Sequence, residues 1–83
     1  MTYQLDARHM SRLQVHAYLM EILPLPPYYG RNLDALYDCL TELENTELVI
    51  CHTREAPRSF ASVRQVLTDA AQDNPALTVE FVE

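Results

Sequence analysis

The chain has 83 residues, 48% of them hydrophobic, and its 12 acidic against 6 basic residues leave a formal net charge of −6. That length implies one domain over residues 1–83, since two cores do not fit in it, and a chain this short buries only about 60–65% of its unfolded surface. Every basic residue is Arg, and so acidic a surface argues against nucleic acid or an anionic membrane as the direct partner, because both demand a positive footprint. Residues 2–6 (Thr-Tyr-Gln-Leu-Asp) alternate and predict a short strand. Ser11 is the expected N-cap of a helix running to about Leu23, with Val15, Leu19, Ile22 and Leu23 as its apolar stripe. Pro24 ends that helix, and Pro26-Pro27 keep the chain extended. Gly30, the sole glycine, precedes a second helical pattern over about 32–44, where a tight turn calls for positive φ or close backbone approach. Residues 48–52 (Leu-Val-Ile-Cys-His) are a near-continuous apolar run, the mark of a strand covered on both faces. Pro57 suits the first turn of a third helix over 57–73, in which Phe60, Val63, Leu67 and Ala70 repeat at helical spacing. Asn74-Pro75 closes it, and residues 77–82 form a last strand with Leu77, Val79 and Phe81 on one face. The order is β-α-α-β-α-β. Strands separated by helices are joined by crossovers, so the expected fold is α/β, a three-stranded parallel sheet packed with helices.

No run reaches the roughly 20 apolar residues of a membrane span. The opening Met1-Thr2-Tyr3-Gln4 lacks the charged-then-apolar order of a signal peptide. A cytoplasmic location is expected, and two cysteines, Cys39 and Cys51, are too few for a disulfide scaffold.

The second helix carries the informative pattern. With Leu33 at zero on a wheel of about 100° per residue, Leu36, Leu40 and Leu43 fall at roughly 300°, 340° and 280°. Asp34, Asp38 and Glu42 fall at roughly 100°, 140° and 180°, opposite the leucines. The leucines are the core stripe and the acids stack along the exposed face, where like charges at i,i+4 destabilise by about 0.2–0.5 kcal/mol per pair. No Arg stands between Arg31 and Arg54 to neutralise them; Thr41 and Asn45 share the face and Tyr37 flanks it. Asp69 and Asp73 repeat the spacing in the last turns of the third helix, where carboxylates oppose the helix dipole. Two readings follow: a solvated polar face, or a negative surface built for cations, basic side chains or a metal. Asp34 and Asp38 could hold a divalent ion, though adjacent acids without a His or a glycine loop are a poor signal for one. Cys39 with His16 or His52 could pair as nucleophile and base, but the positions of Cys39 and Cys51 favour buried structural thiols. His16 reads as a core-edge histidine and His9 as a loop residue. A single glycine excludes a glycine-rich phosphate loop.

Residues 24–41 read Pro-Leu-Pro-Pro-Tyr-Tyr-Gly-Arg-Asn-Leu-Asp-Ala-Leu-Tyr-Asp-Cys-Leu-Thr. This string strongly resembles the barstar family, the intracellular inhibitors of barnase-type ribonucleases. More loosely the resemblance covers the whole chain, with Leu48-Val49-Ile50 fitting the second strand and Ser62-Val63-x-Gln65-Val66 the last helix. It implies a three-stranded parallel sheet with packed helices, in agreement with the order above. It also implies a mode of action, in which the acidic helix and the loop before it enter the ribonuclease active site. Tyr28 and Tyr29 then lie in the binding loop, Tyr28 being the better contact candidate. Asn32 shapes the loop–helix junction, and Asp34 and Asp38 match the two central acids of the family. Asp38 stands in for the substrate phosphate, Thr41 is a rim contact, and Asp69 and Asp73 match acidic positions of the last helix.

Three departures are visible. Tyr37 replaces a Trp, Glu42-Leu43 replace a Gly-Trp pair, and residues 53–61 are too few for a small helix that the family carries there. The resemblance implies a non-enzymatic inhibitor that needs no cofactor or metal, is a monomer when free, and meets one basic ribonuclease 1:1. Immunity against another basic nuclease, such as a DNase, is the neighbouring alternative. A small metal-dependent hydrolase using Asp34 and Asp38, or a purely structural subunit, are the alternatives from other classes.

Overall fold

The computed structural model describes residues 1–83. It orders them as β1 (Thr2–Asp6), a 3₁₀ turn (Ala7–His9), α1 (Val15–Ile22), α2 (Leu33–Thr41), β2 (Thr46–Cys51), a second 3₁₀ turn (Thr53–Glu55), α3 (Phe60–Asp73) and β3 (Leu77–Phe81). The strands form one parallel sheet in the order β1-β2-β3, so the expected α/β topology is the observed one. Each connection between neighbours carries a helix, as parallel pairing requires. The register aligns Tyr3, Leu48 and Val79 in one row and Leu5, Ile50 and Phe81 in the next.

These rows point at the helices. Leu5, Leu48, Ile50 and Leu77 are buried, while Thr2, Gln4, Glu47, Thr78 and Glu80 on the opposite face are exposed. The apolar run 48–52 therefore belongs to a strand covered on one face only, not two. Val49 and Cys51 stand half-exposed on the open face, because the helices pack on the other side. Helical periodicity located that packing correctly: Val15, Leu19 and Leu23, then Leu36 and Leu40, then Phe60, Val63, Leu67 and Ala70 are all buried in one cluster of 16 apolar residues. Ile22, Leu33 and Leu43 are half-buried at its rim.

Helix ends differ from expectation, each for a local reason. α1 starts at Val15, because Ser11 spends its hydroxyl on Gln14 Oε1 (3.0 Å) instead of a backbone N–H. The Ser11 carbonyl still accepts from Val15 N–H at 2.9 Å, so residues 11–14 form a turn ahead of the helix. α3 likewise starts at Phe60, whose N–H reaches back to the Pro57 carbonyl at 2.9 Å. The two 3₁₀ turns carry no periodic signature. In the first, the Asp6 carboxylate caps by accepting from Arg8 N–H at 2.9 Å. The second, three residues long, stands in the stretch that is short for the family's small helix.

α2 ends at Thr41, earlier than its leucine pattern suggests, and Asn74 explains it. This side chain is buried, and its Nδ2 donates to the carbonyls of Leu40 (3.0 Å) and Leu43 (2.8 Å). Its Oδ1 accepts from Ala76 N–H at 3.0 Å. One amide thus satisfies the otherwise orphaned Leu43 carbonyl, adds a second donor to the Leu40 carbonyl, which also accepts from Leu43 N–H at 3.3 Å, and fixes the entry to β3. Asn45 then turns the chain with φ 47°, so it leaves the helix face on which the wheel had placed it, and β2 begins at Thr46.

Asn74→Leu and Asn74→Asp should both destabilise the protein by about 1–3 kcal/mol, since each removes both donated bonds and leaves the Leu43 carbonyl without a donor, the Leu40 carbonyl keeping Leu43 N–H at 3.3 Å. Asp can still accept from Ala76 but cannot donate, so it should rescue little. Urea denaturation checks this; an Asp variant as stable as wild type would show that the two donated bonds carry nothing.

Candidate functional site

The loop before α2 is built by short-range bonds. Tyr29 N–H closes a turn on the Pro26 carbonyl at 3.0 Å, which leaves Tyr28 84% exposed and turns Tyr29 inward to 6%. Tyr29, expected as a loop residue beside Tyr28, is thus part of the core. Its hydroxyl shares a 2.6 Å hydrogen bond with His16 Nδ1 on α1. Burial pushes the Tyr29 hydroxyl up to about 12, and burial followed by the nearby Arg31 charge holds His16 below the ordinary imidazole value. Both groups therefore stay neutral around pH 7, and the pair pins the loop to α1. His16 is the core-edge histidine that its position suggested.

Gly30 does not take positive φ; its neighbour Arg31 does, at 54°. The glycine eases a close approach, since a Cβ there would stand 3.2 Å from Ala35 Cβ, tight enough that the neighbour would have to give. A left-handed conformation costs an L-residue about 1–2 kcal/mol, so the loop accepts strain at Arg31 to bring Asn32 into place. Asn32 is extended and caps α2, its Oδ1 accepting from Ala35 N–H at 2.8 Å.

Beyond that cap, Asp34, Asp38 and Glu42 are all exposed on the face opposite Leu36 and Leu40. Thr41, half-buried, donates its hydroxyl to the Asp38 carbonyl at 2.9 Å. Tyr37 reaches across to α3 and donates its hydroxyl to Asp73 Oδ2. That bond first, then burial, then the charges of Asp73, Asp69 and Asp38 hold the Tyr37 phenol above its ordinary value. Two helices thus bring acids together around one aromatic ring. Asp69 is half-buried and accepts from Gln65 Nε2 at 2.9 Å. Cys39 is half-buried rather than buried, and burial, then Glu42 and Asp38, raise its thiol, which keeps it protonated. Cys51 is half-buried too, and both thiols are free.

No cation of the chain answers these acids. The ion pairs run from Arg8 to Asp6 (2.8 Å) and Glu55 (3.6 Å), from His9 to Asp6 (3.9 Å), from His52 to Glu55 (3.7 Å) and from Arg54 to Glu83 (2.9 Å). The Arg8 guanidinium holds Asp6 down at about 2. Arg64 lies over the Phe81 ring, 4.2 Å from its centroid. Asp34, Asp38, Glu42, Asp69 and Asp73 enter none of these contacts. No three His, Cys, Asp or Glu side chains converge as a cation site would need. Sequence reasoning missed the Tyr37–Asp73 bond, which joins two segments 36 residues apart and leaves no local signal.

Asp38→Asn should relieve repulsion in two i,i+4 pairs, with Asp34 and Glu42, and raise the free protein's stability by about 0.4–1 kcal/mol, roughly 2–8 °C in Tm for a small domain. The gain should shrink at about 1 M salt, where the Debye length is near 3 Å. Asp34→Asn should bring no gain, because a carboxylate in the first turn also favours the helix dipole. Thermal melts at low and high salt check both; a lower Tm for Asp38→Asn at low salt would show Asp38 to be structural.

Comparison with known proteins points in one direction. The family model described as Barstar (barnase inhibitor) matches residues 1–82. A relative from Bacillus subtilis (strain 168), named "Putative ribonuclease inhibitor YrdF", is 53% identical over 38 residues. That stretch takes in 45% of this chain and 42% of the relative, so the chain spans less than half the length of the protein it matches.

Proposed function

Because the chain belongs to the Barstar family, we propose that it inhibits a ribonuclease by laying α2 and the Tyr28 loop into a cationic active site. The observation that carries the reading is the row Asp34, Asp38 and Glu42, exposed and left without any cation of its own chain. A ribonuclease active site is basic because it binds phosphates, and an unneutralised acidic helix is its complement. Asp38, in the middle of the row, takes the place of a substrate phosphate. Asp34 and Glu42 flank it, and Asp69 and Asp73 extend the negative field across α3. Tyr28 is the exposed aromatic anchor, Asn32 and Thr41 lie at the edges, and Tyr37 packs between the two acidic helices. Tyr29 acts indirectly, by holding the loop through His16. The chain performs no catalysis in this role and needs no cofactor. It meets its enzyme 1:1 as a monomer and protects the cytoplasm of the cell that makes the nuclease.

Asp38→Ala should abolish tight inhibition while the fold is kept. Truncating one partner of a desolvated charge pair costs about 2–5 kcal/mol or more, a range whose upper part comes from the barnase–barstar complex itself and is carried over from it. Inhibition assays against ribonucleases captured from the producing cell check this, with circular dichroism to confirm folding. Undiminished inhibition by Asp38→Ala would remove Asp38 from the centre. Capture of a DNase alone would move the target to another basic nuclease.

Association should also be steered. The on-rate should lie well above the roughly 10⁵–10⁶ M⁻¹s⁻¹ of unsteered docking and fall steeply as salt rises from about 0.1 to 1 M and the Debye length drops from about 10 to 3 Å. The off-rate should change less. A stopped-flow on-rate indifferent to salt would exclude steering.

A further inference from the structure

A second charged feature lies beside the acidic face and has the opposite sign. A cleft of about 660 Å³ opens between the turn that leads into α1, the N-terminus of α2 and the first turns of α3. Its polar wall is made by Arg12, His16, Arg31, Asn32, Ser59 and Ser62. No carboxylate lines it, although acids outnumber basic residues two to one in the chain. Neither Arg12 nor Arg31 forms an ion pair. The rest of the wall is apolar, from Met10, Val15, Leu33 and Val63, of which Leu33 is half-buried and the other three are buried.

We infer that this cleft binds a small phosphate-bearing molecule of the mononucleotide class. Guanidinium groups present planar donor pairs that match the oxygens of a phosphate. Two of them, unpaired, line one cleft; of the other four arginines, Arg8 and Arg54 are on acids, Arg64 is on the Phe81 ring, and Arg58, also without an ion pair, is not among the residues of the cleft. The Ser62 hydroxyl adds a donor, whereas Ser59 spends its own on the Met10 carbonyl at 3.4 Å and Asp34 in the first turn of α2 offsets the field of that helix end. Half-buried Leu33 gives a planar base an apolar contact, and the volume falls within the roughly 300–1,000 Å³ of small-ligand sites. Arg31 keeps a left-handed backbone at the mouth of this cleft, a conformation retained where the surroundings demand it. The inference does not depend on the inhibitory reading, and its test involves no nuclease.

Backbone-amide NMR of the ¹⁵N-labelled full chain at pH 7 and constant ionic strength gives the readout. Adenosine 5′-monophosphate and inorganic phosphate are titrated separately to about 10 mM. The nucleotide should shift the amides of Arg31, Asn32, Ser62 and Val63 in a saturable way, with Kd about 1 mM or tighter and about tenfold below that of phosphate. Arg12→Gln and Arg31→Gln should each weaken binding about tenfold, the loss expected of a charge-assisted contact. Arg64→Gln, outside the cleft, should bind as wild type. Shifts that never saturate, or that spread over the surface, would overturn the site. So would an Arg64→Gln variant as impaired as the other two, since that is the result of diffuse charge. Equal affinity for phosphate and nucleotide would overturn the seat for a base.

Discussion

The interaction on which the architecture depends is a single buried amide. Asn74 donates twice into the end of α2 and accepts once from the start of β3. The Leu40 carbonyl, which in a longer helix would accept from residue 44, accepts instead from this amide and from Leu43 N–H at 3.3 Å, so the chain tightens, α2 ends at Thr41 and Glu42 caps it. The same contact draws the C-terminal end of α3 against α2. Asp73, the residue before Asn74, then falls within reach of the Tyr37 hydroxyl. A packing requirement at the end of two helices is therefore also what gathers the acids of both into one surface. A charge field that looks like a property of side chains rests on where a helix is made to end.

The chain's cations are placed so as not to relieve that field. Arg8 and Arg54 are held by acids at other sites, Arg64 by an aromatic ring, Arg12 and Arg31 line a cleft that contains no carboxylate, and Arg58 forms no ion pair. Repulsion along one helix face costs only a few tenths of a kcal/mol per pair. Domains are stable by about 5–15 kcal/mol in total, so the cost is tolerable even in a small core. Segregation of this kind offers a partner two adjoining surfaces of opposite sign, and a wrong partner meets like charge at one of them.

Sequence patterning revealed what depends on period alone. The stripes Leu36–Leu40 and Phe60–Val63–Leu67–Ala70 are buried, and the acids opposite the leucines are exposed, because a helix of 3.6 residues per turn leaves little choice once one face is apolar. What it could not reveal was set by distant contacts. The run at 48–52 is apolar enough for two covered faces, but only the tertiary arrangement decides that helices cover one. Tyr28 and Tyr29 are the same residue type in adjacent places, yet one is 84% exposed and the other 6%, because a turn on Pro26 and a partner on α1 separate them. Gly30 marked the strained turn but not the strained residue, which is Arg31.

The loop that carries Tyr28 is shaped before any partner arrives. Prolines at 24, 26 and 27 restrict the chain before it, the Tyr29 N–H closes a turn on Pro26, and the Tyr29 hydroxyl is bonded to His16. Asn32 then caps α2 from the other side. Ordering a flexible loop on binding costs affinity, and a loop already held in place avoids that cost. The buried tyrosine thus matters to recognition without touching a partner: it holds Tyr28 outward and fixes the angle at which the acidic helix leaves the loop. Strain at Arg31 belongs to the same device, since the left-handed turn lets the chain pass from the proline segment into the helix cap with the acids facing solvent.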